Sequence, residues 1–197
     1  ALMSGNAIAF HDDHGDDVTQ ERDLGTFTKI RVKGAIELHL VAGKDQKVTI
    51  ETSENRIDDV ETYLKGDTLV IDMDNHGRRN YWHDVDVDVT IDMQSLEGIE
   101  VLGAVDADVK GVDSEKLEIE IKGAADLDIE GKCGSLELEV KGAGDISARD
   151  LKCQIVDVDV KGAGNASVYA VEEVEADVAG VANISIYGKP KKIHKHV

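Results

Sequence analysis

The chain has 197 residues, with 22 Lys and Arg against 41 Asp and Glu and a formal net charge of -19, so it repels a phosphate backbone and no nucleic-acid partner is expected. Its length suits one domain with a sizeable core, and that core must be aliphatic because Trp occurs once, Tyr four times and Phe twice. No apolar run approaches the roughly 18 residues of a transmembrane helix, and the acids alternate with apolar residues, which argues against disorder for most of the chain.

From the N-terminus, residues 1–24 read as a flexible leader. Ala7-Ile8-Ala9 resembles the small-x-small end of a signal peptide, which points to export. His11, Asp12, Asp13 and His14 carry metal-capable side chains, but a zinc site needs three or four ligands in fixed geometry, so a solvated polar segment is the expectation there. Strand patterns begin near residue 27, and Val32-Lys33-Gly34-Ala35-Ile36-Glu37 is the first copy of a unit that recurs downstream. The alternation then breaks over residues 74–84, which hold the only Trp of the chain. Arg78, Arg79, Asn80, Tyr81, Trp82 and His83 are the candidate ligand-binding residues, because an indole beside Arg and Asn can stack on a sugar or anchor a protein partner. The structural reading of the same segment is a long connection whose Trp packs onto the fold.

The repeat is explicit from residue 101. Val101-Leu102-Gly103-Ala104, Ile121-Lys122-Gly123-Ala124, Val140-Lys141-Gly142-Ala143, Val160-Lys161-Gly162-Ala163 and Val178-Ala179-Gly180-Val181 place glycines 20, 19, 20 and 18 residues apart. Before each glycine runs a period-2 strand, as in Leu117-Glu118-Ile119-Glu120-Ile121, and after it a second, as in Leu127-Asp128-Ile129. Helical periodicity and caps are lacking. A fixed period of about 18–20 residues with short strands predicts an all-β, right-handed parallel β-helix, a β-solenoid, over residues 25–188. A wet outer face explains the alternation. An antiparallel β-barrel or sandwich is the rival fold, but its hairpins do not require the same residue at the same place in every unit.

With Gly25-Thr26-Phe27-Thr28-Lys29-Ile30-Arg31-Val32 and the successive Gly-Ala-x-Asp/Asn units, the chain resembles the head GIN domain family, described as "putative auto-transporter adhesins" of bacterial envelopes. The resemblance runs to Gly188 and implies an exported β-helical domain. It brings no catalytic residues.

Two columns of acids face outward. Glu100, Glu120, Glu139, Asp159 and Asp177 stand three residues before the glycines, and Glu118, Glu137, Asp157 and Glu175 stand five before. Neighbours about 4.8 Å apart repel by roughly 1 kcal/mol in water, so compensation is required. Lys122, Lys141 and Lys161 can supply part of it. Ca2+ bridging Glu120, Glu139 and Asp159 is the one metal call, set against a simply solvated face. No other cofactor is implied. Asp106, Asp126, Asp145, Asn165 and Asn183, three residues after the glycines, are expected to be turn residues bonded to their own backbone. Cys133 and Cys153 each lie nine residues before a repeat glycine, which puts them on adjacent coils and makes them a disulfide candidate, with stacked free thiols as the alternative. Residues 189–197 form a basic tail that lies over the last coil, over a neighbour, or free.

Together these features predict an exported, non-catalytic binding or structural module of the cell envelope, in the periplasm, on the outer membrane surface or outside the cell, recognising a glycan or a protein. The alternative is a polysaccharide-processing β-helix enzyme, which needs a groove with a metal-holding carboxylate and a poised base, and Arg149 stands isolated among short turns. Self-association through exposed strand edges is a third possibility.

Overall fold

The structure, a computed structural model, describes residues 16–73 and 87–196. In chain order the strands are β1 (Asp17–Arg22), β2 (Lys29–Lys33), β3 (Ala35–Ala42), β4 (Lys47–Ser53), β5 (Glu61–Lys65), β6 (Thr68–Asp72), β7 (Asp88–Met93), β8 (Gly98–Val101), β9 (Ala104–Ile121), β10 (Ala124–Val140), β11 (Ala143–Val160), β12 (Ala163–Val178), β13 (Val181–Gly188) and β14 (Lys192–His196). A 3-10 turn at Ile57–Asp59 is the only helical element among the described residues.

Two ladders run the length of the stack. The post-glycine ladder has the order β1-β4-β7-β3-β9-β10-β11-β12-β13. The pre-glycine ladder runs β5-β6-β2-β8 and continues through the second halves of β9, β10, β11 and β12 to β14. Register is set by the repeat: Leu117, Leu136, Val156 and Val174 are successive partners, all buried, and so are Ile119, Leu138, Val158 and Ala176. Each large aliphatic chain buried in such a column stabilises the fold by about 1.5–3 kcal/mol. The parallel solenoid is therefore the fold. Antiparallel pairing among the described residues is confined to β1 with β4, β4 with β7, and β5 with β6.

Those antiparallel strands reveal a path that the repeat does not show. After β3 the chain does not climb to the next coil. It makes β4 and β5, and then β6 pairs with one side of β2 while β7 pairs with one side of β3. Only then does β8 take the other side of β2, and β9 the other side of β3. The copy at Gly34 is thus the second coil of the stack, with β6 and β7 in the layer beneath it and β4, β1 and β5 beyond them. Part of the expected leader belongs to those layers, since β1 pairs with β4 from Asp17 opposite Ser53 to Arg22 opposite Val48. The Arg22 guanidinium donates to the Ile57 and Val60 carbonyls, each at 3.1 Å. At the other end, part of the basic tail lies along the last full coil as β14, with Lys191 and Lys192 paired to Glu172 and Glu173.

The corner between the ladders is where the glycines act. Ala104, Ala124, Ala143, Ala163 and Val181 donate their N–H groups to the carbonyls of Gly34, Gly103, Gly123, Gly142 and Gly162 at 2.8–3.1 Å. A Cβ on Gly142 would fall inside the van der Waals envelope of the Gly123 carbonyl oxygen, and Gly142 is not in the positive-φ region, so the constraint there is close approach alone. Gly43 is the converse case, with φ of 84° and no atom within 4 Å of an added Cβ. Gly142→Ala is expected to lose about 3 kcal/mol or more by overpacking, and Gly43→Ala about 1–2 kcal/mol by backbone strain, both read from urea unfolding midpoints.

Cys133 is the ladder partner of Cys153, with Cα atoms 4.4 Å apart, and the two form a disulfide buried between β10 and β11. It closes a loop spanning 20 residues, which contributes about 3 kcal/mol by the chain-entropy relation. Non-reducing mass spectrometry should show no free thiol, and the Cys133→Ala/Cys153→Ala double variant should be less stable by about that amount.

Candidate binding faces

Outward residues of the pre-glycine ladder form a continuous electrostatic column. Arg31, Glu100, Glu120, Glu139, Asp159, Asp177 and His196 are successive ladder partners. Beside them, one residue before each glycine, the lysines bridge the acids: Lys122 reaches Glu100 at 3.1 Å and Glu120 at 2.8 Å, and Lys141 reaches Glu120 at 3.3 Å and Glu139 at 2.8 Å. Lys161 joins Glu139 at 3.8 Å and also pairs with Asp159, and Arg31 pairs with Glu100. At Glu120, Glu139 and Asp159, where bridging Ca2+ was set against a simply solvated face, the carboxylates pair with the ammonium groups of Lys122, Lys141 and Lys161. Among the described residues no group of three or more His, Cys, Asp and Glu side chains is arranged to hold a metal ion. Arg31 was not singled out from the sequence, yet it lies three residues before Gly34, the column position of the first copy, and Lys29 lies five before.

These pairings move the titrations. Hydrogen bonding to Lys122 and then Lys141 holds the Glu120 carboxyl below the usual range, and Lys116 does the same for Glu118. Burial pushes Glu100 up, but Arg31 and Lys122 outweigh it and the net direction is down. The column therefore contributes stability that is present above the ordinary glutamate range and lost as pH falls through the lowered values. Asp157 is raised by burial and by Glu175 and Glu137, so its protonation relieves the folded state in acid. Lys141→Ala should lower the thermal midpoint at neutral pH in low salt, with the gap closing in 1 M NaCl and a shallower fall on acidification than in wild type. CaCl2 and NaCl at matched ionic strength should raise the wild-type midpoint equally.

The post-glycine face is built differently. Its outward columns are Ala35, Ala104, Ala124, Ala143 and Ala163, then Asp106, Asp126, Asp145, Asn165 and Asn183, then His39, Asp108, Asp128, Ser147, Ser167 and Ser185. The expected turn role of the Asp and Asn residues is not what the fold uses. No described non-glycine residue has positive φ, the glycines make the corner, and the Asp and Asn side chains lie on strands. Their bonds run between coils, Asn165 Nδ2 donating to Asp145 Oδ1 at 2.6 Å and Asn183 Nδ2 to Asn165 Oδ1 at 3.1 Å. Along the alanine column lies an open groove of about 570 Å3, bordered by Val87, Glu37, Asp106, Asp126 and Asp145. Burial, with Asp106 and Asp145 on either side, raises Asp126 above the usual aspartate range.

Arg78, Arg79, Asn80, Tyr81, Trp82 and His83 lie outside the described residues. The flanks of that segment are fixed: buried Met73 donates its N–H to Lys33 O at 2.9 Å, and the carbonyl of buried Val87 accepts from Glu37 N at 2.9 Å. Both flanks sit at the corner where the next coil turns through Gly34.

A stack of parallel coils that holds side chains in straight outward columns defines a β-solenoid scaffold. Residues 26–190 match the family described as "putative auto-transporter adhesin, head GIN domain", and the chain belongs to that family. No curated protein matches it. Among solved structures it is similar to a putative adhesin from Bacteroides fragilis, at 22% identity and TM-score 0.71 over 92% of this chain and 93% of that one. It is also similar to a putative adhesin from Parabacteroides merdae, at 16% and 0.53 over 93% and 97%. A third is a putative lipid binding protein from Parabacteroides distasonis, at 16% and 0.51 over 92% and 94%. At these identities the likeness is one of fold.

Proposed function

We propose that the protein is an exported, non-catalytic module that binds a glycan or protein partner at the cell surface, with residues 78–83 as its contact segment. The observation that carries this reading is how the described residues on either side of that segment are held. Met73 and Val87, which bracket it in the chain, are both bonded into the ladder beside Gly34, and the sequence between them gathers Arg, Asn, Tyr, Trp and His, side chains suited to contacting a sugar or a protein. The buried disulfide supports an oxidising, extracytoplasmic compartment, and the family's description supports surface binding.

The test is adhesion of beads coated with the purified chain to mucin, to extracellular-matrix protein and to whole cells. Trp82→Ala should weaken capture at least about tenfold, the loss of about 1.4 kcal/mol or more that truncating an anchor aromatic brings, while the thermal midpoint stays at the wild-type value. An unfolded Trp82→Ala variant would make the indole a packing residue and remove it from the contact. The raised carboxyl of Asp126 between two other carboxylates favours polysaccharide hydrolysis as the second reading. Release of reducing ends that disappears in Asp126→Asn would establish it in place of binding.

A further inference from the structure

We propose that the post-glycine face of the last three coils, on β11, β12 and β13, is a binding site for neutral glycan chains. The proposal rests on the surface-binding reading above and assigns that function a second site, distinct from residues 78–83.

The first observation is a change of chemistry along unbroken columns. Three coils carry Asp106, Asp126 and Asp145, and the next two carry Asn165 and Asn183 at the same register. Two residues further along the same strands, Asp108 and Asp128 give way to Ser147, Ser167 and Ser185. In a chain of net charge -19, this stretch exchanges carboxylates for amides and hydroxyls. Solubility does not require that exchange, since the rest of the molecule satisfies it with acids.

The second observation is aromatic. Further along the same ladder, on β12 and β13, stand Tyr169 and Tyr187, which are ladder partners, and Tyr187 is 43% exposed. The Arg149 guanidinium, which leaves the ladder at a bulge of β11, lies 5.6 Å from the centroid of the Tyr187 ring. A planar cation over a tyrosine fixes the ring and adds donors at its edge.

The third observation is what these groups leave open. Each bond along the Asn ladder uses one amide N–H, which orients the amides and leaves each a second N–H with no partner among the described residues. The hydroxyls of Ser147, Ser167, Ser185, Tyr169 and Tyr187 have no hydrogen-bond partner among the described residues. Amides and hydroxyls that both donate and accept, beside exposed aromatic surface, match the equatorial hydroxyls and apolar ring face of a pyranose. Coil spacing of about 4.8 Å repeats the same groups at roughly the advance of one sugar unit. Charge selects the ligand class: the acids of the lower coils repel uronates and sulfated chains, and on the post-glycine face the upper coils offer no carboxylate excess to hold a polycation.

The experiment is calorimetric titration of the full chain with cellohexaose, xylohexaose and mannohexaose, with hexagalacturonate as the anionic control. Binding of at least one neutral hexasaccharide is expected, and none of the uronate. Tyr187→Ala should weaken that binding about tenfold or more. Asn183→Asp restores the residue type that the lower coils tolerate at this register, so it tests the site even if the tyrosine variant does not fold, and it too should weaken binding about tenfold. A wild-type chain that binds none of the neutral sugars overturns the proposal, while the bead-adhesion result stands on its own. Neutral-sugar binding that survives Tyr187→Ala and Asn183→Asp but falls in Trp82→Ala also overturns it, and leaves the binding function with residues 78–83.

Discussion

The spacing of the coils governs everything else in this molecule. A parallel ladder fixes adjacent backbones about 4.8 Å apart, and where the chain must turn a corner without leaving that ladder, no room remains for a side chain. The Ala143 N–H reaching the Gly123 carbonyl at 3.0 Å is the local expression of this constraint. The glycines here serve proximity more than conformational freedom, since Gly103, Gly123, Gly142, Gly162 and Gly180 all lie outside the positive-φ region. The same residue therefore recurs every coil, and the fold writes its period into the sequence.

A second consequence follows from register. Residues at equivalent positions become neighbours, so any charge placed in the repeat meets its own copies. The pre-glycine face resolves this with Lys122, Lys141 and Lys161 offset from the glutamates, each bridging the acid of its own coil and that of the coil below. Such pairs are exposed and individually weak, so they act by relieving repulsion that the register imposes. The post-glycine face resolves it differently, by replacing Asp with Asn in the last coils, where one amide-to-carboxylate and one amide-to-amide bond run along the stack. Both solutions fit the same backbone. The two faces therefore differ in ligand chemistry without differing in fold.

This explains what could be read in advance. Strand alternation, the period and the Cys133–Cys153 pairing were legible, because each is a direct projection of register onto sequence. The lysine bridges were legible in part, and Arg31 and Lys29 would have been if the columns had been extended to the copy at Gly34. The excursion through β4 to β7 was not. Nothing in the local patterns of β6 or β7 says that they pair beneath β2 and β3, because a strand that is buried on its inner face looks alike on either side of its partner. The roles of Asp126 and Asn165 were misjudged for a related reason. Asp and Asn beside glycine suggest a turn, whereas the turn ends at the glycine and the next residues are already on the ladder.

The excursion also bears on how such a scaffold can acquire function. A side chain on an interior coil has a copy above and below it, and a long insertion at an interior corner would have to clear both neighbouring glycine turns. The coil of β6 and β7 is the last parallel coil at its end of the stack, with, among the described residues, only the antiparallel strands β1, β4 and β5 beyond it. There Met73 and Val87, the described residues that bracket 74–86 in the chain, keep the ladder bonds to Lys33 and Glu37, so the hydrogen-bonded corner at Gly34 stays intact. Non-repetitive chemistry, including the only tryptophan, thus enters the sequence between two residues of the last parallel coil, where the stacking constraint is weakest, while the repeating coils supply the flat columns.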